Sequence, residues 1–250
     1  MQGKVYLVGA GPGDPELITL KALRVLQQAD VIMMDDLVNP ALLQHARADA
    51  RVVVVGKRGG CRSTPQSFIN RQMVQEARAG HYVARLKGGD PLMFGRGGEE
   101  IEVLRKAGVA VEVISGVTSG IAAPASLGVP VTHRDYASGV TFITGHNAPD
   151  NQVNWAALAV SRTTLVIYMG IKMIPDIVNS LLEAGMAGQT PALAIQHGTL
   201  PQQSQVQATL STLASAISVA KLGSPAIIVI GQVVEFAQMG INLAQVANAA

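Results

Sequence analysis

The chain has 250 residues, 48% of them hydrophobic and only 14% charged, with 19 lysines and arginines against 17 aspartates and glutamates. That length and apolar content suit one large domain or two small ones with real cores. They argue against disorder, and the near-balanced charge argues against nucleic acid or a membrane surface as partner. Cys61 is the only cysteine, so a disulfide framework and a CxxC zinc or redox pair are excluded and a reducing cytoplasm is expected.

Short apolar runs bounded by glycine alternate with longer helical patterns, which is the signature of an α/β fold. Residues 5–8 read as a first strand. Asp14 and Pro15 then open a helix expected to run to about residue 28, with Asp14 as N-cap. Strands follow at 31–34, 52–55, 83–86 and 111–114, with helices at about 65–79, opened by Ser63 or Thr64, and at about 98–107. Residues 115–120, Ser-Gly-Val-Thr-Ser-Gly, read as a flexible linker with a short helix following at once. This divides the chain into domains at 1–115 and 116–250. The second domain offers strands at 140–144, 164–168, 192–195, 205–208 and 226–230, and helices near 153–158, 174–183 and 210–219. No apolar stretch approaches the ~20 residues of a membrane span. Low charge with a positive mean hydropathy leaves apolar surface that a homodimer would cover.

Base is unevenly placed. Arg51, Lys57, Arg58, Arg62, Arg71, Arg85, Lys87, Arg96, Arg105 and Lys106 lie in the first half, whereas Lys221 is the only lysine or arginine after Lys172. Such a half suits an acidic ligand, although exposed helix faces would use the same residues.

The loop Gly9-Ala10-Gly11-Pro12-Gly13-Asp14 stands between a strand and a helix, where a dinucleotide fingerprint would sit, and Asp35 even supplies an acidic residue after the second strand. The chemistry opposes that reading. Pyrophosphate needs free backbone N–H groups, which Pro12 and Pro15 lack, and Asp14 and Glu16 place negative charge where phosphate would go. A plain glycine turn is the other reading. In Arg85-Leu86-Lys87-Gly88-Gly89-Asp90-Pro91 the paired glycines admit close approach to the backbone, and Asp90 is able to accept from ribose hydroxyls or an ammonium. Arg96, between glycines before an acidic helix start, is poorly explained by packing, and its planar fork suits a carboxylate. The five histidines, His45, His81, His133, His146 and His197, lack metal spacing, so no metal is expected. No HExxH, GxSxG or GxxxxGK[ST] sequence occurs. Methionines are core fillers by default, except Met169, which ends a strand in Tyr168-Met169-Gly170.

In order along the chain, these loops resemble the tetrapyrrole methylase family. The resemblance rests on Val8 through Pro15, Asp35-Asp36-Leu37-Val38, Gly56-Lys57-Arg58-Gly59-Gly60, Arg85 through Glu100 and Gly116-Val117-Thr118-Ser119. It continues through Pro130-Val131-Thr132-His133-Arg134, Thr144-Gly145-His146 and Tyr168-Met169-Gly170, and so covers nearly the whole chain. Each motif is weak alone, and their common order is specific. Asp36 and Met34 depart from the residues the family often has there.

The resemblance implies two α/β domains of the tetrapyrrole methylase type, with S-adenosylmethionine in the interdomain cleft and S-adenosylhomocysteine as product. The cofactor contacts it implies are Pro12, Gly88, Gly89, Asp90, Met93, Thr118, Ser119 and Met169, and, at less distinctive positions, Gly198 and Ala226. Asp35 and Lys57 match the family's proton acceptor and donor, and Arg96 a substrate arginine. The implied substrate is a large acidic tetrapyrrole, uroporphyrinogen III, methylated at C2 and C7 to precorrin-2. The competing expectations are methylation of another precorrin carbon, of RNA or of diphthamide; a non-catalytic S-adenosylmethionine-binding protein; and an NAD(P) oxidoreductase.

Overall fold

The computed structural model describes residues 3–56, 64–146 and 153–238. The chain forms two compact units, Met1–Thr118 and Ser119–Ala250.

The first unit is built on five parallel strands, β1 (Lys4–Gly9), β2 (Val31–Met34), β3 (Arg51–Val54), β4 (Tyr82–Lys87) and β5 (Ala110–Ile114), in the order β3-β2-β4-β1-β5. Right-handed crossovers decide what covers each face. The chain moves one way across the sheet from β1 to β3, and α1 (Leu20–Leu26) with the 3-10 turn Pro40–His45 packs on one face over Val8, Ile32, Met34, Ala84, Leu86 and Ile114. It returns from β3 to β5, and α2 (Gln66–Arg78) and α3 (Gly97–Lys106) cover the other face over Val5, Leu7, Val31, Met33 and Val83. Both faces are buried, so the central strands read as continuous apolar runs.

Strand order also explains why the first glycine loop is no dinucleotide site. A nucleotide crevice opens where the connections leaving two neighbouring strands diverge. Here β4 lies between β2 and β1, and the connections leaving β1 and β4 cross on opposite faces instead. Their loops meet rather than part.

Several boundaries differ from the sequence reading for local reasons. The helix expected from Asp14 to residue 28 is broken. Asp14 caps only the 3-10 turn Pro15–Leu17, Ile18 and Thr19 are extended, and the Thr19 hydroxyl accepts from Ala22 N at 3.2 Å to start α1 anew. Thr64 does not cap α2, since its hydroxyl donates to the Gly56 carbonyl and Pro65 occupies the cap position; Ser63 lies outside the described residues. The segment 115–120 contains the division between the two units, as expected, but it carries local structure of its own. Asp90 Oδ2 accepts from Gly116 N at 3.1 Å, and Ser119 already begins α4 (Ser119–Ala125).

The second unit's sheet contains β6 (Val140–Thr144), β7 (Thr164–Tyr168), β8 (Pro191–Gln196), β9 (Ser204–Thr209) and β10 (Ala226–Ile230), ordered β6-β7-β10-β8-β9. β6 and β7 are parallel and all other pairs antiparallel. One face carries α5 (Trp155–Ala159), α6 (Ile174–Glu183) and α7 (Leu213–Val219), whose Ile174, Ile177, Leu181, Leu213 and Ile217 pack on Ile143, Leu165, Ile167, Ala194 and Ile228. The helix expected over 210–219 is likewise divided, into a 3-10 turn Leu210–Thr212 with a Thr209 capping box and then α7. Among the described residues no helix is long and apolar enough to cross a membrane.

At the opposite face of β5 from α3, Glu112 ties three segments of the first unit. Lys4 Nζ and Lys21 Nζ each stand 2.6 Å from its carboxylate, which their hydrogen bonds hold down at a pKa of about 2. A lowered carboxylate pKa stabilises the fold above the ordinary value of 4.5 and loses that contribution as pH falls toward 2. Glu112→Gln is therefore expected to lower the urea midpoint at neutral pH, and the difference from the parent should shrink on acidification through that window and in high salt, as befits a partly exposed pair.

Candidate functional site

Because all five strands of the first sheet are parallel, their carboxyl ends lie along one edge. That edge receives the loop Gly9–Asp14 after β1, Asp35-Asp36 after β2, Val55-Gly56 after β3, Gly88-Gly89-Asp90 after β4 and Ser115–Thr118 after β5. The loops are joined through backbone. Ala10 N donates to the Lys87 carbonyl at 2.8 Å, and Gly11 and Gly89 exchange N–H···O bonds of 3.2 and 2.6 Å. A Cβ on Gly9 would stand 2.5 Å from Gly116 N, and one on Gly116 would overlap the Gly89 carbonyl. Gly11 (φ 81°) and Gly89 (φ 68°) also need the left-handed backbone.

Asp90 acts as a hub of this edge. Its Oδ1 accepts from Leu92 N at 2.8 Å and its Oδ2 from Gly116 N. Each oxygen keeps a second lone pair, so a ligand hydroxyl or ammonium remains compatible with these bonds. Asp14 accepts from Glu16 N at 2.9 Å, which puts a carboxylate at the first helical turn and completes the argument against a phosphate there. Gly88 packs against Leu37, where a Cβ would meet the Leu37 Cβ at 2.9 Å. Met93 is half-buried and Thr118 buried.

Arg96 has left-handed backbone (φ 59°) at the N-cap of α3, and its side chain is exposed. The fork already grips a carboxylate: Nε and Nη2 reach Glu99 Oε1 and Oε2 at 2.9 and 2.6 Å, which raises the Arg96 pKa. A substrate carboxylate would have to share or displace Glu99.

Asp35 is half-exposed behind β2. Its Oδ1 accepts from Asp36 N at 3.3 Å, and its Oδ2 from Arg85 Nη2 at 3.1 Å. Lys57 lies outside the described residues; the residue before it, Gly56, packs directly on Asp36, so the chain leaves β3 beside the Asp35 loop.

Beneath this edge lies a group of charges that the sequence reading passed over. Arg85 and Lys87 alternate with Leu86, so both point to the α2/α3 face, and Glu100 on α3 meets them there. Arg85 is 1% exposed, Lys87 4% and Glu100 0%. Arg85 Nε donates to Glu100 Oε1 at 3.2 Å, Lys87 Nζ stands 3.2 Å from Oε2, and Gln66 Nε2 donates to Oε1 at 2.9 Å. The signal was present, since two cations on the inward phase of a strand buried on both faces demand a buried partner.

In the second unit the remaining candidates share an edge as well. Met169 follows β7, Gly198 follows β8, and Ala226 begins β10, which runs antiparallel to both. Tyr168 Oη accepts from Gly120 N at 2.8 Å and so draws the start of α4, with Ser119, to the same edge. Met169 departs from the core role of Met33 and Met73: it is 54% exposed with φ 55°, a conformation costly for a side chain with a Cβ. His197 (φ 51°) and Thr199 (φ 69°) flank Gly198, where a Cβ would meet Ala123 of α4 at 2.5 Å. Among the described residues no three His, Cys, Asp or Glu side chains are grouped as metal ligands.

Burial, and then the neighbouring charge of Arg85, push the Lys87 pKa below its ordinary 10.5, with Glu100 opposing. The folded chain therefore binds fewer protons than the unfolded one between the lowered value and 10.5, and stability should rise with pH across that window. The difference in unfolding free energy between the parent and Lys87→Met, followed by denaturant titration from neutral pH upward, is expected to move in favour of the parent; a flat difference would show that Lys87 keeps an ordinary titration.

Comparison with known proteins agrees with the geometry. The family model for tetrapyrrole (corrin/porphyrin) methylases matches residues 4–214. The uroporphyrinogen-III C-methyltransferase of Pseudomonas aeruginosa is 53% identical over 233 residues, which covers 93% of this chain and 95% of that protein. The enzyme of the same name from Bacillus subtilis is 50% identical over 236 residues, covering 94% and 92%. Among solved structures, uroporphyrin-III C-methyltransferase from Thermus thermophilus complexed with S-adenosylhomocysteine superposes with a TM-score of 0.80 at 39% identity, covering 93% of this chain and 99% of that one. Two α/β units, the glycine-built edge of the first and a near-full-length relationship to these enzymes place the chain in the tetrapyrrole methylase family.

Proposed function

We propose that this protein transfers methyl groups from S-adenosylmethionine to C2 and C7 of uroporphyrinogen III, giving precorrin-2 and two molecules of S-adenosylhomocysteine. The observation that carries the reading is the relationship, at half identity and over nearly the full length of both chains, to uroporphyrinogen-III C-methyltransferases. The residues fit the cofactor. Around Gly9, Gly89 and Gly116 the first unit's edge is bare backbone, and Asp14 and Pro12 deny it the anion-binding character of a nucleotide site.

In this reading Pro12, Gly88, Gly89, Asp90, Met93 and Thr118 of the first unit, with Ser119, Met169, Gly198 and Ala226 of the second, hold the cofactor. When bound, S-adenosylmethionine supplies a methyl already activated by its sulfonium. The protein's task is then to align an electron-rich pyrrole carbon with that methyl and to exclude water. The first unit supplies the substrate and catalytic loops. Arg96 exchanges its grip on Glu99 for a peripheral carboxylate of the macrocycle. Asp35 accepts the proton that methylation makes acidic, and Lys57 donates or stabilises negative charge. A homodimer in the cytoplasm suits the low charge fraction and the lone cysteine.

Incubation of the protein with uroporphyrinogen III and methyl-labelled S-adenosylmethionine is expected to place two labels on each macrocycle; label confined to another precorrin, to RNA or to protein would overturn the reading. Asp35→Asn and Lys57→Met are expected to bind S-adenosylhomocysteine normally by calorimetry and to lose roughly 10²-fold in turnover, the lower end of the range for a proton-transfer group. Arg96→Lys should keep cofactor affinity and lose turnover, because an ammonium replaces a bidentate fork.

A further inference from the structure

Asp35 is a short side chain on a loop, with its carboxylate partly open to solvent, and a proton acceptor in that position must be held in one orientation. The hold comes from behind. Arg85 reaches from β4 to the neighbouring β2, where its Nη1 donates to the Met33 carbonyl at 3.5 Å, while the same nitrogen donates to the Leu86 carbonyl of β4 itself at 3.2 Å. Its Nη2 meets Asp35 Oδ2 and its Nε meets Glu100 Oε1. Four of the five guanidinium N–H donors are thereby directed at four fixed acceptors. Glu100, fully buried on α3, is itself held by Lys87 and Gln66. Two buried cations with one buried carboxylate leave one positive charge unbalanced, and the carboxylate that balances it is Asp35.

An ion group in so dry a place costs more to desolvate than apolar residues of the same volume, so packing alone gives no reason for it. We infer that Arg85 is a positioning residue for the reaction: its guanidinium, anchored by Glu100, fixes the Asp35 carboxylate at the carboxyl edge of the first sheet with its outer lone pairs directed to substrate. This rests on the reading of Asp35 as proton acceptor. The bland alternative is that Arg85 only staples β4 to α3 and that its contact with Asp35 is incidental.

A double-mutant cycle in turnover separates the two, since residues that act as a unit are non-additive whereas independent ones multiply their losses. Arg85→Lys keeps the charge but concentrates its donors on one atom, which cannot serve Glu100, two carbonyls and Asp35 together. With S-adenosylhomocysteine affinity as the check on folding, Arg85→Lys is expected to lower kcat between about 10- and 100-fold with little change in KM, as misplacement of a catalytic group does. In an Asp35→Asn background the same substitution should change kcat by less than about 2-fold, because the group it positions is gone. Full kcat in Arg85→Lys, or an equal loss in both backgrounds, overturns the inference. Full kcat in Asp35→Asn alone would instead overturn the reading of Asp35, so the two failures are distinguishable. If Arg85→Lys does not bind S-adenosylhomocysteine, Glu100→Gln, which loosens the guanidinium from its far side, replaces it in the same cycle with the same outcomes.

Discussion

The contact of backbone with backbone at the carboxyl edge of the first sheet is the constraint on which the rest of the site depends. Gly9, Gly89 and Gly116 come from the ends of three adjacent strands and approach so closely that no side chain fits between them. The loops are consequently fixed relative to one another by N–H···O bonds between main chains, Gly11 with Gly89 and Ala10 with Lys87, rather than by side chains that could change rotamer. Asp90 adds a side-chain tie, to Gly116, and Asn39 Nδ2 another, to the Gly13 carbonyl at 2.9 Å. A substitution at these glycines would push apart the loops that surround it, and the effect would reach every group this edge presents.

Beneath that edge the molecule accepts an expensive arrangement. Arg85, Lys87 and Glu100 are withdrawn from water directly under the loops, and the positive charge they leave over is met by Asp35, the one member of the group at the surface. Cations placed on the inward phase of a strand weaken an otherwise apolar layer, in which Val83 and Leu104 continue below the charges. Departures of this kind from consistent core packing are expected where function sets the requirement.

The second unit solves a similar problem by different means. Its mixed sheet brings the ends of β7 and β8 and the start of β10 to one edge, and strain replaces glycine at several points: Met169, His197 and Thr199 all take left-handed backbone although each carries a Cβ. Such conformations persist only where surrounding structure holds them, here the close contact of Gly145 with Gly170 and of Gly198 with Ala123. The hydroxyl of Tyr168 anchors α4 through Gly120, so Ser119, the first residue of the unit, is placed by a residue nearly fifty positions later in the chain.

Local chemistry was sufficient for much of this. β2, β6, β7, β10 and α6 stand where apolar runs and glycine punctuation put them, and the case against a dinucleotide site followed from Pro12 and Asp14 alone. Motif order along the chain identified the family, because each loop carries a recognisable local pattern. What the sequence could not supply was anything that depends on strand order. Only the insertion of β4 between β2 and β1 sets Arg85 beside Asp35, fifty residues away, and makes the two glycine loops bond to each other. Only the packing of α3 on that sheet face brings Glu100 under both cations, whereas the grip of Arg96 on Glu99 is a local i,i+3 pair of exposed side chains. The physical reason is that propensity, capping and hydrophobic period act over a few residues, whereas the partner of a buried charge is chosen by which strands lie side by side.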